Sequence, residues 1–121
     1  MNNQVSDQYF KSHDEHRLYY QEWKVQKSKA VLIFVHGLNE HAGRYEKTAH
    51  YFIDKGYTCY FFDHRGHGRS DGLRSFVDSF EEYQRDLDEF VLMVKAKEKN
   101  KVFIIGHSMG AQMGLRTFGQ N

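Results

Sequence analysis

The chain has 121 residues, which is enough for one hydrophobic core and too few for two, since single domains mostly run to about 100–150 residues. Apolar residues make up 40% of the sequence, a share that argues against disordered and membrane-spanning classes. The 17 Lys and Arg residues and 16 Asp and Glu residues leave a net charge of +1, so bulk charge gives no reason to expect a nucleic acid partner. Function is therefore expected to depend on a local site.

The single cysteine, Cys59, excludes an intramolecular disulfide and fits a reducing, cytoplasmic location. We expect it to be a small apolar residue inside a buried strand. The N-terminal sequence has no basic region followed by an apolar run, and no apolar stretch approaches the roughly 18 residues that span a bilayer. We therefore expect no signal peptide and no transmembrane segment, while peripheral membrane contact stays open.

Strand-like and helix-like patterns alternate through the first half of the chain. Residues 18–25 alternate between apolar and polar side chains and predict one strand of an early hairpin. Residues 30–35 are all apolar, which is typical of a strand covered on both faces. Apolar side chains then recur at helical spacing over residues 44–55, and Gly56 supplies a helix stop. This half therefore predicts two strands followed by an amphipathic helix.

A second strand and a second helix follow. Residues 57–62 predict a strand, and the turn-rich segment 64–72 comes directly after it. Ser79 and Glu82 fit a capping box at the start of a long helix, in which each side chain accepts a hydrogen bond from the other residue's backbone amide. The apolar face predicted for this helix consists of Tyr83, Leu87, Phe90, Val91 and Val94.

Charge and apolar patterning predict the remaining elements. Acidic residues crowd the first half of the long helix and lysines end it, which matches the helix macrodipole and indicates a solvated face. Residues 101–105 predict a buried strand, and a further helix is expected over residues 109–118. Strands that alternate with helices indicate an α/β fold, with a mostly parallel sheet and flanking helices. No linker or repeat divides the sequence, so residues 1–121 are expected to lie in one domain.

The strongest chemical signal is the sequence Gly106-His107-Ser108-Met109-Gly110, a G-x-S-x-G pentapeptide between an apolar strand and a predicted helix. Such a turn holds the serine in a strained conformation with its hydroxyl exposed, and the positions two before and two after it must be small. Gly106 and Gly110 meet that requirement. Because the following helix directs its first amides toward a developing oxyanion, the pattern predicts that Ser108 is a nucleophile.

A second signal lies where the strand at residues 30–35 ends. Gly37 lets the chain turn tightly and bring the backbone amide of Leu38 toward the same pocket. A loop at this point is the usual partner of the nucleophile turn in an oxyanion hole. His36 is better explained as a residue that orders the loop than as a general base.

Segment 64–72 raises two further hypotheses. Its glycines resemble a dinucleotide-binding fingerprint, but that fingerprint opens a helix at once, whereas the helix here starts several residues later. Its histidines and arginines suggest metal or phosphate binding, but no further ligands stand at a recognised spacing. We therefore interpret the segment as a hydrogen-bonded structural loop and expect neither a metal nor a cofactor.

The stretches that begin at His36 and at Asp63, together with the pentapeptide around Ser108, resemble the monoacylglycerol lipase and lysophospholipase group of the α/β-hydrolases, of the serine aminopeptidase type. The resemblance implies an α/β-hydrolase fold and ester hydrolysis through an acyl-enzyme on Ser108. It also implies an oxyanion hole formed by the backbone amides of Leu38 and Met109. The substrates that it implies are lipid esters, either monoacylglycerols or lysophospholipids.

The order of the catalytic residues raises a difficulty. In α/β-hydrolases the nucleophile is followed along the chain by the acid and then by the histidine. The thirteen residues after Ser108 include no Asp, Glu or His. We therefore expect this chain to be the N-terminal portion of a single α/β-hydrolase domain, truncated after the nucleophile turn and without its cap, acid and histidine segments. Residues 101–105 would then form an apolar edge strand open to self-association.

Two functions are compatible with this sequence. The first is a serine ester hydrolase of the monoacylglycerol lipase or lysophospholipase type, expected to be inactive or nearly so as this chain, because a serine hydroxyl needs a positioned base. The alternative is a non-catalytic remnant or interaction module from an interrupted reading frame. Covalent labelling of Ser108 by a fluorophosphonate separates the two.

Overall fold

The computed structural model of the chain describes residues 4–35, 46–65, 70–72 and 80–106. Within these ranges the chain forms five strands and two helices. The elements in chain order are β1 (Gln4–Lys11), β2 (Arg17–Lys24), β3 (Val31–Val35), α1 (Glu46–Asp54), β4 (Thr58–Phe62), α2 (Phe80–Lys97) and β5 (Val102–Gly106). The predicted helix at residues 109–118 and the capping residue Ser79 lie outside the described residues.

The strands form one mixed sheet in the order β1-β2-β4-β3-β5. β3 runs parallel to both of its neighbours, β4 and β5. β2 is antiparallel to β1 and to β4. The α/β fold is confirmed, but the described sheet is less parallel than predicted, because the hairpin adds two antiparallel pairings to the strands that are joined through helices.

β1 and β2 confirm the early hairpin predicted from residues 18–25. The register pairs Gln4 with Lys24 and Lys11 with Arg17, so the hairpin turn occupies residues 12–16. Two turn hydrogen bonds close it, from the Ser12 amide to the His16 carbonyl at 2.9 Å and from the Glu15 amide to the Ser12 carbonyl at 3.0 Å. Glu15 takes a positive φ of 72°, a left-handed conformation that such tight turns require.

The two helices cover opposite faces of the sheet. β4 lies on one side of β3 and β5 lies on the other, so right-handed crossovers place α1 and α2 on different faces. α1 packs through Ala49 and Ile53 against a cluster that includes Phe34 and Phe61. α2 packs against the opposite face, and all five of its predicted core residues are buried: Tyr83, Leu87, Phe90, Val91 and Val94.

α1 ends as its sequence predicts. Gly56 has a φ of 95°, which costs glycine little because it has no Cβ. The Tyr57 amide donates to the Phe52 carbonyl at 3.1 Å, and the Gly56 amide donates to the Ile53 carbonyl at 3.0 Å. This pair of bonds, with the contact between the Phe52 and Tyr57 rings, forms a Schellman motif. It returns the chain directly into β4.

β4 is buried, whereas β5 is partly exposed. Cys59 in β4 is fully buried, as predicted, and desolvation raises the pKa of its thiol to about 12. Residues 101–105 were predicted as a buried strand that becomes an apolar edge strand in a truncated domain. In the described sheet β5 is an edge strand, with Phe103 48% exposed and Ile105 38% exposed. Both side chains lie on the α1 side of the sheet, where β5 is an edge strand of the described sheet and no described helix covers it.

Neither described helix combines the length and the apolar character that crossing a bilayer requires.

Candidate functional site

The three parallel strands end at one level of the sheet. Val35, the last residue of β3, is paired with Phe62 at the end of β4 and with Gly106 at the end of β5. Neighbouring strands lie about 4.8 Å apart, so the chain leaves all three strands within about 10 Å. The carboxyl edge of a parallel sheet is where α/β proteins bind their ligands. Val35, Phe62 and Gly106 therefore mark the ends of three strands at one edge.

Most of the predicted site residues follow this edge directly and lie outside the described residues. They are His36, Gly37, Leu38, Ser108, Met109 and Gly110. Gly106 is described, and it ends β5 beside Val35. The proposed roles of Ser108 as nucleophile and of the Leu38 and Met109 amides as oxyanion hole therefore stay predictions.

The described start of the loop after β4 is organised around Arg65. The side chain of Arg65 is only 4% exposed, and all five of its N–H groups donate to carboxylates. Nε and Nη2 each reach Asp86 at 2.8 Å. Nη1 reaches Asp14 at 2.7 Å and Glu82 at 2.8 Å, and Nη2 reaches Asp14 at 3.1 Å. We call Arg65, Asp14, Glu82 and Asp86 the Arg65 cluster.

The electrostatics of the Arg65 cluster follow from burial and charge. The side-chain hydrogen bonds to Asp86 raise the pKa of Arg65, which stays charged. The hydrogen bond from Arg65 holds the pKa of Asp14 well below its usual range. Asp86 behaves in the opposite way, because its fully buried carboxyl is desolvated and its pKa is raised despite the adjacent guanidinium. A buried carboxylate of this kind depends on its cation.

The other described end of the loop is tied to β2. The Ser70 hydroxyl donates to the Asp63 carbonyl at 2.6 Å and accepts from the Tyr19 amide at 2.8 Å. One residue on, the Arg17 amide donates to the Asp71 carboxylate at 2.9 Å, while the Asp71 amide donates to the Arg17 carbonyl at 2.8 Å. The hydrogen bond from the Arg17 amide lowers the pKa of the Asp71 carboxyl. The described ends thus agree with the interpretation of residues 64–72 as a hydrogen-bonded structural loop.

His64 occupies a buried position between the sheet and α2. It is 0% exposed, and its ring packs edge-on against Phe62 at 5.3 Å and Tyr83 at 5.2 Å between centroids. A general base has to reach the proton that it removes. The aromatic contacts on both sides explain His64 as a packing residue.

One group of described side chains has the composition of a metal site. His13, Asp86 and Glu89 place potential ligand atoms within 4.8 Å of one another. Both carboxylate oxygens of Asp86 accept from Arg65, and Glu89 accepts from the backbone amide of His13 at 3.0 Å. The guanidinium already supplies the positive charge that this group calls for, so we assign it no metal.

The Arg65 cluster corrects one sequence prediction. The acidic first half of the long helix was expected to form a solvated face, but Asp86 is fully buried and Glu82 contacts Arg65. The two carboxylates stand four residues apart, on one side of the helix next to its apolar face. That spacing was the available signal, although nothing local to the helix identifies Arg65 and Asp14 as the partners.

Comparison with known proteins places this arrangement in a family. Residues 26–121 match the family model Hydrolase_4, described as serine aminopeptidase, S33. The human protein named monoglyceride lipase is 38% identical over 106 residues, which cover 86% of this chain and 35% of that protein. The chain therefore spans little more than a third of the length of this curated relative.

Solved structures share the fold. An α/β hydrolase from a Penicillium species, GrgF, superposes with a TM-score of 0.86 at 22% identity, covering 98% of this chain and 42% of that one. The Pyrococcus furiosus esterase Pf2001 superposes with a TM-score of 0.78 at 27% identity, covering 94% of this chain and 46% of that one.

Proposed function

This chain belongs to the serine aminopeptidase S33 family, with an α/β-hydrolase fold, and from that premise we propose that it carries the nucleophile and oxyanion-hole part of a hydrolase of the lipase or esterase type. The proposed substrates are lipid esters with a single acyl chain, either monoacylglycerols or lysophospholipids. The names of its relatives, monoglyceride lipase in human and phospholipase in Bacillus subtilis, support this class.

The observation that carries the proposal is the common level at which β3, β4 and β5 end. Val35 lies beside Gly106, so the loop beginning at His36 and the turn holding Ser108 start from adjacent strands. An oxyanion hole requires two amides about 3 Å from the developing charge. Adjacent strands support that arrangement for the amides of Leu38 and Met109.

In the proposed mechanism the Ser108 hydroxyl attacks the ester carbonyl while a base takes its proton. The tetrahedral oxyanion accepts hydrogen bonds from the Leu38 and Met109 amides. Collapse of this intermediate breaks the ester bond, and the proton passes to the departing alcohol. Water then hydrolyses the acyl-enzyme by the same steps and releases the fatty acid.

The base and its orienting acid are not found after Ser108, where the family places them. We therefore propose that these 121 residues are one portion of a single α/β-hydrolase domain, and that the base and acid are residues outside this sequence. It follows that Ser108 should be weakly reactive in the isolated chain and should respond to an added base.

The proposal extends to the location of the protein, its contact with membranes and its self-association. Its single cysteine, buried in β4, fits a reducing compartment and supports a cytoplasmic location. Lipid esters with one acyl chain partition into membranes, so peripheral contact with a bilayer belongs to the proposal. The exposed side chains of Phe103 and Ile105 support self-association through β5.

The experiment that tests the substrate class measures turnover of a monoacylglycerol, a lysophospholipid and an aminoacyl amide, each with increasing imidazole as the added base. We expect ester turnover that rises with imidazole and is lost in Ser108→Ala, with no turnover of the amide. Ser6→Ala, at an exposed serine of β1, is the matched control and should behave as the parent chain.

Subtracting the Ser108→Ala rate removes the direct reaction of imidazole with the ester. Turnover of the amide alone would assign the chain to peptide chemistry. Equal rates in the parent chain and Ser108→Ala at every imidazole concentration would refute the proposed function.

A further inference from the structure

We propose that the β1–β2 hairpin is part of the positioning machinery of the site. Through Asp14 in its turn, it holds Arg65 and the start of the loop after β4 one strand away from Val35, after which the residues proposed for the oxyanion hole follow along the chain. The inference rests on the proposed function for its catalytic consequence. The contact itself stands on the described residues alone. Asp14 and Arg65 are therefore positioning residues, since neither is proposed to touch the substrate.

The Asp14 carboxylate is held by Arg65 and by two neighbours in the hairpin turn. It accepts two hydrogen bonds from Arg65, one from each terminal nitrogen, at 2.7 and 3.1 Å. The Ser12 hydroxyl donates to it at 2.6 Å, and His16 lies 3.1 Å from it through Nδ1. Two-point contact between a guanidinium and a carboxylate fixes direction as well as distance. A turn residue of the hairpin thus sets the orientation of a side chain 51 residues along the chain.

The hairpin turn is in turn attached to α2. The His13 backbone amide donates to the Glu89 carboxylate at 3.0 Å, and the His13 ring lies 3.3 Å from the same oxygen. Glu89 and Asp86 stand three residues apart on α2, so the turn and Arg65 share one stretch of the helix. The hairpin turn, α2 and the loop after β4 therefore form one bonded unit.

This unit lies at the carboxyl edge of the sheet. The Asp63 amide donates to the Tyr19 carbonyl at 2.9 Å, and Asp63 follows Phe62, which is level with Val35. Movement of Arg65 would displace the start of the loop after β4. This segment follows the strand next to β3, and β3 is followed by the residues proposed for the oxyanion hole. Misplacement of catalytic groups by about 1 Å is costly to rate. The hairpin ends at Lys24, and the family model matches residues 26–121. The positioning contact from Asp14 therefore comes from outside the matched span.

The same two elements also make contact at their other end, which provides a matched control. Lys97 of α2 donates to Glu22 of β2 at 2.7 Å. This ion pair joins the hairpin to α2 as Asp14 does through Arg65, but it lies toward the opposite edge of the sheet. Glu22→Gln removes one charge of that pair and leaves the carboxyl edge untouched.

The experiment compares Asp14→Asn with Glu22→Gln in the 121-residue chain. Hydrogen exchange is measured at the Asp63 and Asp71 amides, with the Tyr60 amide in β4 as a reporter of global unfolding. We expect Asp14→Asn to speed exchange at Asp63 and Asp71 about tenfold, because the bonds between Asp14 and Arg65 are broken when these amides open locally. Exchange at Tyr60 should rise by no more than that factor, since the same bonds are also absent from the globally unfolded chain. Glu22→Gln should leave exchange at Asp63 and Asp71 unchanged.

A second measurement records the fluorophosphonate labelling of Ser108 at fixed imidazole and varied probe. We expect Asp14→Asn to lower the limiting labelling rate several-fold with the half-saturating probe concentration unchanged, since a positioning defect affects the chemical step. Asp14→Glu retains the carboxylate and should recover part of that rate.

Unchanged exchange at Asp63 and Asp71 in Asp14→Asn would overturn the proposal, as would equal effects of Asp14→Asn and Glu22→Gln. If the parent chain is not labelled on Ser108 at all, the proposed function fails, and the exchange measurements alone then decide the role of the hairpin. Local loosening by Asp14→Asn with an unchanged labelling rate would refute the catalytic consequence.

Discussion

Replacement of Arg65 by methionine removes the charge and keeps a side chain of similar length. The guanidinium is 4% exposed and makes bonds of 2.7 to 3.1 Å to three carboxylates. Removing one partner from a buried ion pair costs about 3–5 kcal/mol, because the remaining charge is left uncompensated. A domain of this size is stable by about 5–15 kcal/mol in total. We therefore expect Arg65→Met to lower the free energy of unfolding by about 3–5 kcal/mol at pH 7.

The loss should shrink as the pH falls. In Arg65→Met the pKa of Asp86, already raised by burial, rises further because the guanidinium no longer lowers it. A folded-state pKa above the unfolded value, about 3.9, means that the variant gains stability as the pH falls through that raised pKa. Asp14 of the parent chain has a lowered pKa, so the stability that it contributes is present above about pH 4 and is lost at lower pH. Protonation of Asp86 in the variant therefore narrows the stability difference between the two chains first, and loss of the Asp14 contribution narrows it further below about pH 4.

Urea unfolding at pH 7 and at pH 4.5 measures the loss of stability in Arg65→Met and its decrease in acid. The fluorescence of the buried Trp23 is the signal. Arg85→Met, at an exposed arginine of α2, is the control and should change stability by no more than about 0.5 kcal/mol. A loss below about 1 kcal/mol for Arg65→Met, or the same loss at both pH values, would refute the reasoning on the Arg65 cluster.

Three further predictions are tested by urea unfolding or by sedimentation velocity. Ser70→Ala should cost about 1–3 kcal/mol, because the Tyr19 amide and the Asp63 carbonyl lose their bonds to the hydroxyl; a loss no larger than that of Ser6→Ala would contradict this. Phe90→Ala should cost about 3–5 kcal/mol, since the fully buried ring contacts four aromatic rings, whereas Leu92→Ala, on the same helix but 65% exposed, should cost little. Phe103→Lys should shift the chain toward monomer in sedimentation velocity, because a lysine on an apolar edge strand opposes pairing; an unchanged distribution would exclude β5 as the contact.

The elements that the sequence predicted well are those whose signals are local. Gly56 ends α1 because a left-handed residue is needed there, and glycine marks that need in any sequence. The apolar face of α2 follows from helical spacing, and every predicted member is buried. The parallel pairing of β3 with β4 and β5 follows from strands that alternate with helices.

The features that the sequence left open depend on contacts between distant residues. Asp14 and Arg65 are 51 residues apart, and no local pattern joins them. β1 carries few apolar residues and owes its place to pairing with β2. The burial of β5 depends on what lies beside it in the sheet, which its own sequence does not state. The candidate site was predicted from motifs that each follow a predicted parallel strand, and the pairing of Val35 with Phe62 and Gly106 confirms that those strands end at one edge.

We propose that Ser108, two residues along the chain from the end of β5, is the nucleophile. The decisive measurement is to react the chain with a fluorophosphonate over a range of imidazole concentrations and to map the adduct by mass spectrometry. Cleavage after Lys101 and Arg116 places Ser108 alone among the serines of the chain in one peptide. We predict a single adduct in that peptide, formed faster as imidazole increases and lost in Ser108→Ala. An adduct on other serines, or none on Ser108 at any imidazole concentration, would contradict the account.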